Sequence, residues 1–193
     1  METGILILAA GNSSRLGEPK QLLNFNGKTL LRNVVNEAIK VTESVIVVTG
    51  SNHSQISREI EDFEVKIVEN INWDQGMGSS IKIGINQLLN RFSEVQNIII
   101  SVCDQPFIEA SVFSDLIQMQ KISQKGIVAS KYSDTLGTPV LFTKKYFEEI
   151  SKLSGQEGAK KVTQKFKDDI AEIIFEKGAI DIDTQSDYQK LIQ

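Results

Sequence analysis

Residues 5–23 read ILILAAGNSSRLGEPKQLL, and the rest of the chain is best understood from this stretch outward. An apolar run ends in Ala9, Ala10 and Gly11, then gives way to Ser13, Ser14, Arg15, Gly17 and a Pro19-Lys20 pair, with no acid before Glu18. The run has the β-branched, continuously apolar character of a buried strand. Where it ends, from Leu8 through Gly11, the small side chains let a ligand come close to the main chain. Ser13 and Ser14 add hydroxyls and exposed amides suited to an anion-binding nest. Arg15 offers a planar fork of donors and Lys20 a point charge, both suited to phosphate. An ordinary strand-to-helix turn would carry one or two of these features. All of them at this spacing describe a polyphosphate loop, for which two convergent cations and a metal are the electrostatic requirement.

The other apolar β-branched runs lie at 44–50, 65–70, 97–102, 126–130, 139–143 and 171–177, and all six are expected as strands. Helical spacing appears at 29–40, 54–63, 79–92, 110–122, 158–167 and 184–193. This alternation predicts an α/β fold in three layers around a mostly parallel sheet, with residues 1–193 forming one domain. Ligands of such sheets bind beyond the carboxyl ends of the strands. Two apparent motifs fail. The NGKT at 26–29 lacks the upstream glycine of a phosphate loop, since Leu22 stands there, and reads instead as a tight Asn-Gly turn. The GMGSSI at 76–81 has Ile81 at the third glycine position of a dinucleotide fingerprint.

The formal net charge of −4 argues against duplex DNA or an anionic membrane as partner, though not against one small polyphosphate. No apolar stretch is long enough for a membrane span and no basic leader precedes one, so the cytoplasm is the expected location. Cys103 is the sole cysteine, which rules out an internal disulfide, and it reads as a small buried hydrophobe. His53, the sole histidine, lacks the Gly-x-Ser-x-Gly partner of a hydrolase and reads as a helix-start residue.

The opening stretch, LAAGNSSRLGEPKQLL, resembles the signature of the nucleotidyltransferases of molybdenum cofactor synthesis, LAAGxSxRxGxPKxLL. The same family is matched in order by QGMGSSIKIG (75–84), CDQPF (103–107) and DIDTQSDY (181–188), and by the weaker GTPVLF (137–142) and SGQEGAKK (154–161). The resemblance implies the Rossmann-like nucleotidyltransferase fold (GT-A-like), Mg²⁺, a nucleoside triphosphate, and molybdopterin as the phosphate acceptor. A partner enzyme for the transfer is possible, and its identity is left open. The double alanine resembles the cytidylyltransferase branch and so favours CTP. Gly76, Gly78 and Ser80 are implied in nucleotide binding, and Gly137 and Pro139 in acceptor binding. Ser79 is a candidate helix cap. Gln156 stands where the family commonly has aspartate, which removes a charge from the presumed acceptor end.

Asp104 follows the most apolar strand and precedes Gln105-Pro106, so its carboxylate is expected at the mouth of the sheet. Mg²⁺ usually takes one or two protein carboxylates and completes its shell with phosphate oxygens and water. Asp104 with Asp183 would make such a site if the two segment ends lie side by side, and the resemblance implies the same pair. Asp183 has a second reading, as a cap on the last helix with Thr184, and whether Asp181 shares the metal site is open. Two other functions fit the chain. One is nucleotidyl transfer to a sugar or polyol phosphate; the other is non-catalytic carriage of a nucleotide or pterin.

Overall fold

The computed structural model describes residues 2–192. In chain order the strands are β1 (Glu2–Ala9), β2 (Asn24–Phe25), β3 (Lys28–Thr29), β4 (Val45–Thr49), β5 (Lys66–Glu69), β6 (Val95–Val102), β7 (Ile127–Tyr132), β8 (Thr135–Thr143) and β9 (Ile170–Ile174). The helices are α1 (Leu30–Ile39), α2 (His53–Glu59), α3 (Met77–Arg91), α4 (Ala110–Ser123), α5 (Phe147–Ser151), α6 (Ala159–Lys165) and α7 (Gln185–Ile192). Seven strands form one sheet in the order β5-β4-β1-β6-β8-β7-β9. Only β8 runs against the rest, pairing antiparallel with both β6 and β7. All seven apolar runs of the sequence are strands of this sheet.

The continuous apolar runs arise because the sheet is covered on both faces. Along β1, Leu6 and Leu8 enter one hydrophobic cluster while Ile5, Ile7 and Ala9 enter the other. The first cluster takes Ile81, Ile85 and Leu88 from α3, with Ile150 of α5 and Val162 of α6. The second takes Leu31, Val34 and Val35 from α1, Ile56 from α2, and Phe113 and Leu116 from α4. Period-2 alternation along a strand thus feeds two cores rather than a core and solvent. The three expected layers are present.

A third, smaller cluster joins Leu16, Leu23 and Leu30 to Ile182, with Tyr188 and Leu191 of α7 packed against it. It brings the carboxyl-terminal segment onto the opening loop. The NGKT stretch forms the expected Asn-Gly turn, with Asn26 (φ 53°) and Gly27 (φ 80°) between β2 and β3. Helix α5, of five residues, has no counterpart in the sequence reading, and β8 begins at Thr135, ahead of the run at 139–143 expected as its strand. A five-residue helix spans little more than one turn and shows no periodicity to detect.

Candidate active site

Strand β1 delivers the chain into the opening loop at the carboxyl edge of the sheet, and β6 delivers Asp104 beside it. Ser13 adopts a left-handed conformation (φ 52°), and its carbonyl accepts from the amides of Leu16 and Gly17. Its hydroxyl oxygen accepts from the Lys20 amide at 3.0 Å, which closes the loop. The amides of Gly11, Asn12 and Ser13 donate to no protein group among the described residues, as an anion nest requires. The Ser14 amide instead donates to Asn12 Oδ1 at 3.3 Å.

Lys20 Nζ lies 2.6 Å from Asp104 Oδ2 and 3.0 Å from Asp183 Oδ1. Arg15 Nη2 lies 2.6 Å from Asp183 Oδ2. The four charged side chains expected at the site therefore form one network, although up to 168 positions separate them. Lys20 and Asp104 are each 18% exposed, whereas Arg15 is 70% exposed and free to follow a ligand. Burial opposes the charge on Lys20, but the Asp104 carboxylate, as neighbour and hydrogen-bond acceptor, outweighs it and holds the ammonium well above the ordinary lysine range. Burial likewise opposes the charge on Asp183, but Lys20 and then Arg15 prevail and keep its carboxyl below the usual range. Asp181 moves the other way: burial, then the charges of Asp104 and Asp183, push it up.

The segment carrying these acids is pinned by the Ile182 amide, which donates to the Asp104 carbonyl at 3.1 Å. Asp183 does not cap α7. Asp187 Oδ2 accepts from the Thr184 amide at 2.8 Å, and Thr184 Oγ1 accepts from the Asp187 amide at 3.2 Å, so Thr184 and Asp187 cap it reciprocally. Asp183 is left to the ion network. Among the described residues, no cluster of three or more His, Cys, Asp or Glu side chains is placed to hold a metal. Two carboxylates facing a common cation remain.

A cleft of about 490 Å³ opens beside this network, with Leu8, Ala9, Ala10 and Gly11 on one wall and Gly76, Ser80 and Trp73 on another. Lys20 and Asp104 sit at its edge. Gly76 (φ 98°) holds a conformation that disfavours a side chain, and a Cβ there would strike the Gly155 carbonyl. A Cβ on Gly78 would lie 2.5 Å from the Ser154 nitrogen. Both glycines let the start of α3 lie against the 153–156 loop, but only Gly76 reaches the cleft. Ser80 lines it while its hydroxyl accepts from Asn70 at 3.0 Å. Ser79 is no cap: its hydroxyl donates to the Gly76 carbonyl. Gln156, expected at the acceptor end, lines this same cleft. Gly137 and Pro139 lie apart from it on β8. Gly137 leaves room for the Tyr132 hydroxyl, and Pro139 is buried, its carbonyl accepting from Ser130.

Cys103 is buried, and burial pushes its thiol up to about 12, with Asp104 adding to the effect, so it is a packing residue without thiolate character. His53 opens α2, its Nδ1 2.7 Å from Thr49 Oγ1. Two polar residues of the site escaped the sequence reading: Gln21 and Gln105, each next in sequence to a member of the central ion pair. No helix among the described residues is long and apolar enough to cross a membrane.

Comparison with known proteins bears on this geometry. The chain is 29% identical over 126 residues to a probable molybdenum cofactor guanylyltransferase of Bacillus cereus (strain G9842), covering 64% of this chain and 59% of that protein. It therefore spans about three-fifths of that relative's length. A molybdenum cofactor cytidylyltransferase of Escherichia coli (strain K12) is 23% identical over 140 residues, covering 72% of this chain and 69% of that one. Among solved structures, Rv0371c from Mycobacterium tuberculosis H37Rv superposes with a TM-score of 0.81 at 25% identity, over 99% of this chain and 97% of that one. A complex of that protein with manganese gives a TM-score of 0.77 at 23% identity, over 99% and 98%. The family model described as the MobA-like NTP transferase domain matches residues 5–170. From the opening loop to the last strand of its sheet, this chain belongs to the MobA-like NTP transferase family.

Proposed function

We propose that this protein transfers CMP from CTP to the terminal phosphate of molybdopterin, releasing pyrophosphate with the help of Mg²⁺. The observation that carries the reading is the Lys20 ammonium, held between Asp104 and Asp183 at the edge of a cleft walled by an open loop of backbone amides. In this reading the loop from Leu8 to Gly11, with Ser13 and Ser14, receives the nucleotide, and Gly76, Gly78 and Ser80 shape its far wall. Arg15 and Lys20 stabilise the triphosphate and the charge that builds in the transition state. Gly137 and Pro139 shape the acceptor side.

Asp104 and Asp183 are the residues that would hold the metal. They fit it: both are oxygen donors, they already converge on one cation, and two carboxylates leave coordination places for phosphate oxygens and water. Bound there, Mg²⁺ would supply positive charge to the phosphates. The manganese complex of the mycobacterial relative is in keeping with such a site.

The chemistry asks little more of the chain. A phosphate oxygen of the acceptor forms a bond to the α-phosphorus. The bond from that phosphorus to the α–β bridging oxygen breaks, and its electron pair leaves on pyrophosphate. A phosphate monoester has a second pKa near 6 and is mostly dianionic at neutral pH, so no side chain needs to take a proton. Alignment and charge suffice. Lys20, held above the ordinary lysine range, keeps its charge throughout the physiological range.

CTP is assigned on the double alanine at 9–10, whereas the curated relatives carry guanylyl as well as cytidylyl names. The test is pyrophosphate release from CTP or GTP with Mg²⁺, given molybdopterin or a panel of sugar and polyol phosphates. Release that depends on CTP and molybdopterin is expected. Equal or faster release from GTP overturns the base, and release with a sugar or polyol phosphate alone overturns the acceptor. Nucleotide binding with no pyrophosphate under any combination makes the protein a carrier.

A further inference from the structure

The central ion pair is flanked by a repeated device. Lys20 is followed by Gln21 and Asp104 by Gln105, and both glutamines are buried, at 1% and 4% exposure. Gln21 Nε2 donates to the Ala9 and Gly11 carbonyls, each at 2.9 Å. Gln105 Nε2 donates to the Thr138 carbonyl at 3.0 Å and the Gly178 carbonyl at 2.9 Å. In both, Oε1 is buried without a hydrogen-bond partner among the described residues. Turning either amide over would set its oxygen against two carbonyl oxygens, so the orientation is determined.

Burying an unpartnered amide oxygen is unfavourable. A position that served packing alone would be better filled by Leu or Met. Neither of those can offer two hydrogens from one atom to two carbonyls, and that is what both glutamines do.

The two clamps hold different things. Gln21 ties the two carbonyls that bracket Ala10, so it fixes the bend at the start of the opening loop. Gln105 ties β8 to the turn at Gly178, three residues before Asp181. That turn leads into the segment whose Ile182 amide donates to the Asp104 carbonyl. Asp183 is thus located from two anchors, both belonging to the Asp104-Gln105 pair.

Resting on the reading that Asp104 and Asp183 hold a divalent cation and the opening loop a triphosphate, we propose that the two glutamines are positioning residues with separate tasks. Gln105 sets the spacing of the carboxylates for the metal, and Gln21 holds the loop in the shape that binds phosphate.

The two tasks can be separated without measuring turnover. Mn²⁺ alone is titrated into nucleotide-free protein and followed by the paramagnetic resonance of the free ion. CTP in excess EDTA is followed by the fluorescence of Trp73, the sole tryptophan, which lines the cleft. Gln105→Met is expected to weaken Mn²⁺ tenfold or more while CTP binding stays within twofold. Gln21→Met is expected to do the reverse. Gln105→Glu and Gln21→Glu keep the side-chain shape but turn a donor into an acceptor, and they give the same split if a Met variant does not fold. Wild-type binding of both probes, with variants that shift both constants alike or neither, overturns the inference alone. Wild-type protein that binds neither probe overturns the metal and nucleotide sites themselves, and this inference with them.

Discussion

The two halves of the sheet solve different problems at the same edge. On one side β5, β4, β1 and β6 are all parallel, and the carboxyl ends of β1 and β6 open onto the cleft. On the other, β8 runs backwards between β6 and β7, so it begins at the carboxyl edge rather than ending there. Near its start the Tyr132 ring lies against Gly137 and Gly178 and meets Phe175 edge-on at 6.5 Å. The parallel half gathers charge around an opening, whereas the mixed half presents a packed wall tied to Gln105 through the Thr138 and Gly178 carbonyls. Charge should therefore dominate activity on the first side, and packing geometry on the second.

The largest effect is expected where the two halves meet. Lys20→Met removes the one cation among the described residues that touches both carboxylates, and pyrophosphate release should fall by about 10²–10³-fold, the scale of losing one preorganised transition-state donor. The same variant should bind Mn²⁺ more tightly than wild type when nucleotide is absent, because no ammonium competes for Asp104 and Asp183. Loss of turnover with unchanged Mn²⁺ affinity would mean that the carboxylates do not converge on a metal position. Near-normal turnover would remove Lys20 from the chemistry altogether.

A smaller pair of effects sharpens the contrast between halves. In Gly76→Ala the new methyl meets the Gly155 carbonyl at a positive φ, so the cleft wall must shift. Stability should fall by about 1–3 kcal/mol, the usual scale of a strained backbone position, and the KM for nucleotide should rise. In Gly137→Ala the methyl meets the Tyr132 hydroxyl, on the far side of Asp104. There the acceptor KM should rise while the nucleotide KM holds. Steady-state kinetics with each substrate varied in turn checks the crossover, and equal changes in both constants for both variants would erase the distinction.

The same contrast governs how much was legible beforehand. Every strand of the main sheet was visible, because a sheet covered on both faces imposes unbroken β-branched runs such as NIIISV. The loop of the parallel half was visible too, since small residues, hydroxyls and cations crowd into one short segment. Arg15, Lys20, Asp104 and Asp183 could each be nominated by residue type and family pattern. That Arg15 pairs with Asp183 could not, because no local rule relates residues 168 positions apart. Asp183 had two readings until Asp187 proved to be the partner of Thr184. Gln21 and Gln105 gave only a faint signal, a neutral amide next to a charged residue. That Gln156 lines the cleft could not be read either, because it follows from the loop that carries it folding over the start of α3.

The smallest effect on activity is expected far from the site, and it tests whether the mixed half acts only as a wall. Asp169 precedes β9; its Oδ1 accepts from the Gly126 amide at 3.1 Å, and its Oδ2 accepts from Lys145 Nζ at 2.8 Å and the Tyr146 hydroxyl at 2.7 Å. The bonds from Lys145 and then Tyr146 hold its carboxyl at about 2, below the usual carboxylate range. A depressed folded pKa stabilises the fold above the unfolded value, and that contribution disappears as pH falls through the folded value. Asp169→Asn should therefore lose on the order of 1–2 kcal/mol at neutral pH, allowing for screening of this partly exposed cluster. The difference from wild type should shrink below about pH 4, fall steeply towards pH 2, where half of the native Asp169 carboxyls are protonated, and vanish only about a unit lower. Denaturant melts across this range check the convergence. Pyrophosphate release at neutral pH should stay at the wild-type rate. A large loss of rate in the folded variant would mean that strain at the amino ends of β7 and β9 reaches Asp104, and that the mixed half takes part in positioning the chemistry well beyond the Gln105 clamp.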